Sequence, residues 1–328
     1  MIGVAVLLVA VAGVAFTNGA NANFKGVASL YGSGTATLKT ALLWGNAFTF
    51  FGSLVSFWIA SGLLKSFGGK GVLPDAVVQR PAFAASVAVA AAFTSFLATR
   101  LSFPVSTTHA LTGAIAGCGV ATTLLGSDSG NVQWNTLANS FLLPLLISPL
   151  MAMLAAWLLS QILKAGRVSL EERSPLVDRI HFASAGAASF ARGLNDTPKM
   201  VAILLLIPGA QTLYAFAFVA VLILVGGLVD AKNVAETLGK KITEMNAGEG
   251  LIANLVTCAL VSTASFHSLP VSTTHVSVGA LVGIGSVNRK ARWRMIGEIF
   301  VAWVTTVPCG LVVGMIIYLL CSLAGLAS

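Results

Sequence analysis

The hexapeptide PVSTTH occurs twice, beginning at Pro104 and again 166 positions later at Pro270. The glycines that follow align too: Gly113 with Gly279, Gly117 with Gly283, Gly119 with Gly285. A second pair of segments repeats in the same order. NGANANFKGVA, from Asn18, matches RGLNDTPKMVA, from Arg192, through the pattern G-x-N-[A/D]-x-x-K-x-V-A. This pairs Gly19 with Gly193, Asn21 with Asn195, Ala22 with Asp196 and Lys25 with Lys199. The chain is a tandem duplication, so its fold must place two copies of one unit against each other. The charged stretch KAGRVSLEERSPLVDR, residues 164–179, is read as a cytoplasmic linker between an N-terminal half, 1–163, and a C-terminal half, 180–328.

Between the motifs the sequence is apolar. Of its 328 residues 56% are hydrophobic and 9% charged, where soluble domains carry roughly 25% charged residues. A water-soluble fold of this length could not hide so much apolar surface, so the chain is read as a polytopic membrane protein. A spanning helix needs about 20 residues, which leaves room for about ten to twelve spans or half-spans. Helices are predicted at about 1–17, 40–66, 82–102, 137–164, 180–192, 211–229, 250–267 and 295–324, with short or broken pieces around the motifs. Pro104, Pro198 and Pro270 are expected to mark breaks, because each removes a backbone donor and disfavours helix just before it. The ANA at 20–22 mimics a leader cleavage site, but no basic segment precedes the apolar run, which is read as a first span. Cys118, Cys258, Cys309 and Cys321 lie singly in apolar stretches and read as small core residues, neither disulfides nor metal ligands.

The formal net charge of +8 sits largely in short connections, the pattern of cytoplasmic loops rather than of a nucleic-acid surface. The loop GSDSGNVQWNT, 126–136, has no Lys or Arg, whereas its counterpart VNRKARWR, 287–294, is strongly basic. Equivalent loops of opposite bias belong on opposite faces. The expected fold is therefore an all-α polytopic membrane protein with two inverted-topology repeats, whose broken or re-entrant helices meet at the membrane midplane. The linker and the 288–294 loop lie in the cytoplasm and both termini outside, in a multi-pass protein of the cell (inner) membrane.

Broken helices at membrane depth are tolerated where they line a polar cavity. The free amides of a half-helix N-terminus bind anions. PVSTTH suits this role: proline stops the incoming chain, and Ser106, Thr107 and Thr108, with Ser272, Thr273 and Thr274, add hydroxyl groups beside those amides. Two such ends facing each other would surround a tetrahedral oxyanion. The G-x-N motifs add the amides of Asn21 and Asn195, the carboxylate of Asp196, a hard ligand for a small cation or proton, and the ammonium groups of Lys25 and Lys199. Charges at membrane depth are costly and usually functional. The plainer readings are back-bonding of the hydroxyls to the preceding turn and snorkelling of Lys25 to an interface. His109 and His275 read either as proton-handling groups or as structural donors to backbone carbonyls. His181 and His267 have no repeat partner and read as structural or interfacial, and Arg192 adjoins the second motif, where it could help hold an anion.

GLND, the two PVSTTH segments, GKKITE and AWVTTVP together resemble the inorganic phosphate transporter (PiT) family over essentially the whole chain. That resemblance implies a secondary transporter that imports inorganic phosphate with Na⁺ or H⁺ by alternating access, usually as a homodimer, with no cofactor beyond the co-transported ion. By it, Asn21, Asn195 and Asp196 handle coupling ions and phosphate, with Na⁺ placed at those three, and the Ser and Thr of both PVSTTH motifs bind the anion and ions. Two departures stand out. The family expects an aspartate where Ala22 stands, and the repeat expects the same, since Ala22 mirrors Asp196. This is either a natural variant with altered coupling or an engineered substitution, which the intact remainder of the motif favours. The lysines also differ from members with Asn there, and a fixed ammonium could stand in for a bound Na⁺. The alternatives are a permease for sulfate or another tetrahedral oxyanion, and an uncoupled anion channel or sensor. A carboxylate near the anion would favour phosphate, which keeps a proton to donate, over sulfate. No Ser-His-Asp pattern, metal cluster or nucleotide loop points to an enzyme.

Overall fold

The computed structural model describes residues 2–59, 61–69, 71–126, 131–166, 174–207 and 209–325. The first half holds α1 (Ile2–Ala22), α2 (Ala28–Gly32), α3 (Leu38–Ile59), α4 (Ser61–Phe67) and α5 (Asp75–Val78). It continues with α6 (Pro81–Arg100), α7 (Thr107–Leu124), α8 (Trp134–Leu137) and α9 (Leu143–Ala165), with a π-helical turn at Ala138–Leu142 before α9. The second half holds α10 (Pro175–Leu204), α11 (Thr212–Asp230), α12 (Lys232–Glu236), α13 (Ala247–Phe266), α14 (Thr273–Asn288) and α15 (Trp293–Leu323). A second π turn, Thr237–Lys241, follows α12. Among the described residues there is no strand, only one isolated bridge between Thr243 and Ala291. Residues 167–173 of the expected linker and 127–130 of the uncharged loop lie outside the described residues.

Seven helical stretches are long and apolar enough to cross a membrane: Val4–Ala22, Leu38–Ile59, Pro81–Arg100, Trp134–Ala165, Thr212–Asp230, Ala247–Phe266 and Trp293–Leu323. The outer faces of α9 and α15 expose Leu146, Leu150, Leu154, Val301, Val304 and Val312, which is how a lipid-facing surface reads. The three remaining long helices, α7, α10 and α14, carry or directly follow the repeated motifs.

One expectation is corrected. The helix predicted at 180–192 does not stop there: α10 runs from Pro175 to Leu204 through the whole second motif, with Pro198 inside it. Pro198 costs a hydrogen bond, but side-chain ties span the gap. Asp196 pairs back to Arg192 at 3.4 Å and forward to Lys199 at 2.9 Å, the i,i+4 and i,i+3 spacings that stabilise one helix face. The break falls instead in the first motif, which has no proline. There α1 ends at Ala22, and the chain makes tight turns, Lys25 N to Ala22 O at 3.1 Å and Val27 N to Phe24 O at 3.0 Å, before α2 begins. That copy lacks both the carboxylate and the guanidinium that brace its partner.

The halves exchange packing partners. α1 packs on α6 of its own half and α11 of the other, while α10 packs on α13 and α3. α7 lies along α15, and its counterpart α14 along α9. Glycines permit these approaches: a Cβ on Gly113 or Gly117 would run into the carbonyl oxygens of Val307 and Leu311, and one on Gly279 or Gly283 into those of Pro149 and Met153. Small residues at four-residue spacing let helix backbones meet in this way. The exchange extends to the apolar cores. Phe24, Val27 and Leu30, just past the first motif, enter the core built on α9, α13 and α14, and Met200 to Leu204, past the second, enter the core built on α1, α6 and α7. Each of these contacts made by an element of one half thus has a counterpart made by the equivalent element of the other.

Candidate functional site

The two PVSTTH segments are built alike. α6 and α13 end with Ser102 and Ser268 in the left-handed region, at φ of 63° and 58°. The amides of Phe103 and Leu269 bond back to the carbonyls of Ala98 and Ala264 at 2.9 and 2.8 Å. This helix stop usually takes glycine. Pro104 and Pro270 follow in non-helical segments. Ser106 and Ser272 then cap α7 and α14, each Oγ accepting from the amide three residues on, His109 or His275, at 3.2 Å. Such a cap is worth about 1 kcal/mol. The first turn of each half-helix touches the extended segment of the other: Thr274 Oγ1 donates to the Val105 carbonyl at 2.7 Å and Thr108 Oγ1 to that of Val271 at 3.4 Å.

The motif lysines lock this crossing. Lys25 Nζ donates to Val105 O at 3.0 Å, to Asn21 Oδ1 at 3.3 Å and to Thr274 Oγ1. Lys199 Nζ donates to Val271 O, Asp196 Oδ1 and Thr108 Oγ1, each at 2.9 Å. Each ammonium therefore joins the valine carbonyl of its own half to the last threonine of the opposite half. Lys25 is 4% exposed, so it does not snorkel.

Around Lys199 lies a charged network. Asp196 Oδ2 accepts from Thr273 Oγ1 at 3.1 Å, and the Arg192 guanidinium stands 3.4 Å from it. Arg192 reaches across to the first motif, donating to Asn23 Oδ1 and Asn18 Oδ1. Asn23 in turn donates to Asn46 Oδ1 at 2.5 Å and to Ile223 O at 2.9 Å. The mirror position of Thr273 is Thr107. With no carboxylate at residue 22 to receive it, Thr107 instead accepts from Asn18 Nδ2 at 2.9 Å. The asparagines of the first motif thus have separate tasks. Asn18 and Asn23 receive Arg192, while Asn21 accepts the Val105 amide at 3.0 Å and donates to Thr99 Oγ1 at 3.0 Å and Phe103 O at 2.9 Å.

Asn195 donates to Ser265 Oγ at 2.9 Å, as Asn21 does to Thr99. Its Oδ1, buried, has no donor among the described residues, whereas Asn21 Oδ1 has two. The twelve residues expected to bind the anion or the coupling ion are all buried, Ala22 included. Asn18, Asn23 and Asn46 were not singled out. The signal for Asn18 was available, because it mirrors Arg192; nothing in the motifs pointed to Asn46 on α3. His109 and His275 place their Nδ1 atoms 3.2 and 2.9 Å from the carbonyls of Trp303 and Leu145. His181 likewise sits in the interior, 2.9 Å from Ser29 Oγ.

The family model of the phosphate transporter family matches residues 18–176 and 167–314, covering both copies of both motifs. The chain belongs to that family. It is a multi-pass, all-α membrane transporter and not an enzyme. A probable low-affinity inorganic phosphate transporter of Rhizobium meliloti (strain 1021) is 28% identical over 92% of this chain and 92% of its own length. The sulfate permease CysP of Bacillus subtilis (strain 168) is 27% identical over 78% of this chain and 69% of its own. Among solved structures, one titled the sodium-dependent phosphate transporter superposes with a TM-score of 0.85 at 20% identity, over 98% of this chain and 100% of that one. At that identity the likeness establishes the fold.

Proposed function

We propose that this chain is a secondary active transporter that imports inorganic phosphate, coupled to Na⁺ or H⁺, by alternating access in the cell (inner) membrane, as a homodimer. The observation that carries the reading is the pair of half-helix N-termini that cross each other and are joined by two buried ammonium groups. That is an assembly of amide, hydroxyl and cationic donors suited to a tetrahedral oxyanion. Lys25, Lys199, Ser106, Thr107, Thr108, Ser272, Thr273, Thr274, Asn21 and Asn195 would contact the anion as the crossing opens, and Asp196 with Asn21 and Asn195 would handle the coupling ion. Inverted topology of the two repeats, with residues 164–179 as the cytoplasmic linker, gives the crossing two equivalent ways to open, one to each side. The names of the phosphate-transporting relatives support the substrate. So does Asn195 Oδ1, a buried acceptor that a protonated phosphate oxygen can satisfy and sulfate cannot.

A second reading, sulfate transport, is favoured by one observation. Asp196 Oδ1 already accepts from Lys199 and Oδ2 from Thr273, with the Arg192 guanidinium 3.4 Å away as an ion pair, so this carboxylate is committed to protein cations and donors and is a poorer acceptor for a phosphate proton. Uptake of labelled phosphate into proteoliposomes, with and without an inward Na⁺ or H⁺ gradient and with excess sulfate as competitor, separates the readings. Gradient-driven uptake that ignores sulfate is expected. Uptake abolished by sulfate moves the assignment to sulfate, and uptake indifferent to either gradient moves it to an uncoupled channel.

A further inference from the structure

We infer that Lys25 and Lys199 are tethered counter-cations: each ammonium fills an oxygen cradle that would otherwise hold a small metal cation, so the site takes a tetrahedral dianion with no Na⁺ beside it. This rests on the oxyanion-transport reading, names how that site is neutralised and, of the two coupling ions that reading allows, selects H⁺.

The first argument is coordination. Lys25 Nζ is surrounded by a backbone carbonyl, Val105 O, an amide oxygen, Asn21 Oδ1, and a hydroxyl, Thr274 Oγ1. Lys199 Nζ has a backbone carbonyl, a carboxylate oxygen and a hydroxyl, all at 2.9 Å. These are the hard oxygen ligands that small metal cations use. An ammonium has three N–H donors and no acceptor, so three oxygens saturate it, and a metal ion could ligate them only by displacing it. The second argument is charge. Among the described residues the buried Asp, Glu, Lys and Arg side chains are Lys25, Arg192, Lys199 and Asp196. Three cations against one carboxylate leave a formal excess of +2. Net charge at membrane depth is costly. A dianion cancels this excess, and a bound Na⁺ would enlarge it. The third argument is Ala22. A carboxylate at this mirror of Asp196 would remove one unit of the excess, and a methyl group keeps it.

The test is calorimetric titration of the full chain in lipid nanodiscs with phosphate and with sulfate, in N-methylglucamine buffer and in Na⁺ buffer. By linkage, a co-bound cation must tighten the anion by the same factor as the anion tightens it. The expected result is an anion Kd that changes by less than about twofold between the two buffers. Tightening by Na⁺ of about tenfold or more overturns the inference while leaving the transport reading intact. Failure of both anions to bind in either buffer overturns the transport reading itself. Lys25→Ala gives a second measurement. Its anion affinity in Na⁺-free buffer is expected to fall at least about tenfold, and to return when Na⁺ or methylammonium is added to refill the cradle. A variant that unfolds at the parent's temperature yet is rescued by neither cation overturns the inference.

Discussion

The two G-x-N motifs occupy equivalent places but handle buried charge differently. In the second copy, Arg192, Asp196 and Lys199 form a braced line on one face of α10, and the helix runs unbroken past Pro198. In the first copy, Asn18, Ala22 and Lys25 stand at the same positions, the helix ends, and Lys25 finds only neutral oxygens. Arg192 compensates by reaching over to Asn18 and Asn23. The carboxylate–guanidinium brace and the unbroken helix thus occur together in the second copy, and both are absent from the first. The contrast also shows why a buried charge pattern cannot be read one half at a time.

The largest test of that contrast is removal of the carboxylate. Asp196→Asn leaves Lys199 and Arg192 without their anion, and breaking a buried pair in this way costs about 3–5 kcal/mol. Thermal unfolding in detergent should show that loss, and added phosphate should recover part of it by restoring negative charge. A variant as stable as the parent would mean that the Asp196 network does not brace α10. The reverse change sharpens the comparison. Ala22→Asp should give Lys25 an i,i+3 partner and lower the formal excess to +1. Anion affinity in Na⁺-free buffer is then expected to weaken by about tenfold, measured by the same titration; unchanged affinity would remove Ala22 from the account of how the site is charged.

A smaller effect is expected at the two asparagines that follow the motif glycines. Asn21 Oδ1 is filled by Val105 N and Lys25, whereas Asn195 Oδ1 has no donor. An unpaired buried acceptor costs about 1–3 kcal/mol, which a phosphate hydroxyl could recover and sulfate could not. Asn195→Ala should narrow the preference for phosphate over sulfate by a few-fold, about 1 kcal/mol, read from competitive uptake. Asn21→Ala should instead lower stability with little change in that ratio. Equal shifts in the ratio for both variants would show that the vacant acceptor plays no part in selectivity.

Much of this arrangement was legible in the residues. PVSTTH announced a half-helix with hydroxyl groups beside its free amides, and both copies have one; the incoming helices, expected to stop at proline, stop just before it at Ser102 and Ser268, and the serine cap was not foreseen. The pairing of Lys25 with Lys199 was visible from the repeat alone. What the sequence did not reveal depends on how the halves sit together. The exchange of α7 onto α15 and α14 onto α9, and the reach of Arg192 to Asn18 and Asn23, join residues more than 100 positions apart, and the repeat makes such positions equivalent without saying that they touch. Pro198 misled for a related reason. Proline's local preference is to end a helix, and it was outweighed by a charge brace whose strength depends on burial.

The smallest test asks how closely the two copies match in the backbone itself. Ser102 and Ser268 both adopt positive φ at the stop that feeds each PVSTTH segment. An L-residue in that region carries a strain of roughly 1–2 kcal/mol, and glycine relieves it while losing roughly 0.5–1 kcal/mol to the freedom of the unfolded chain. Ser102→Gly should therefore raise stability by about 0.5 kcal/mol, measured as a shift in unfolding midpoint. Ser268 packs against Gly62, where a Cβ would collide with its hydroxyl, so Ser268→Gly also gives up a contact and should gain less. The order matters more than the size. A larger gain at Ser268 than at Ser102 would mean that the α4 contact strains the second turn rather than supporting it, and that the two stops are alike in shape but not in energy.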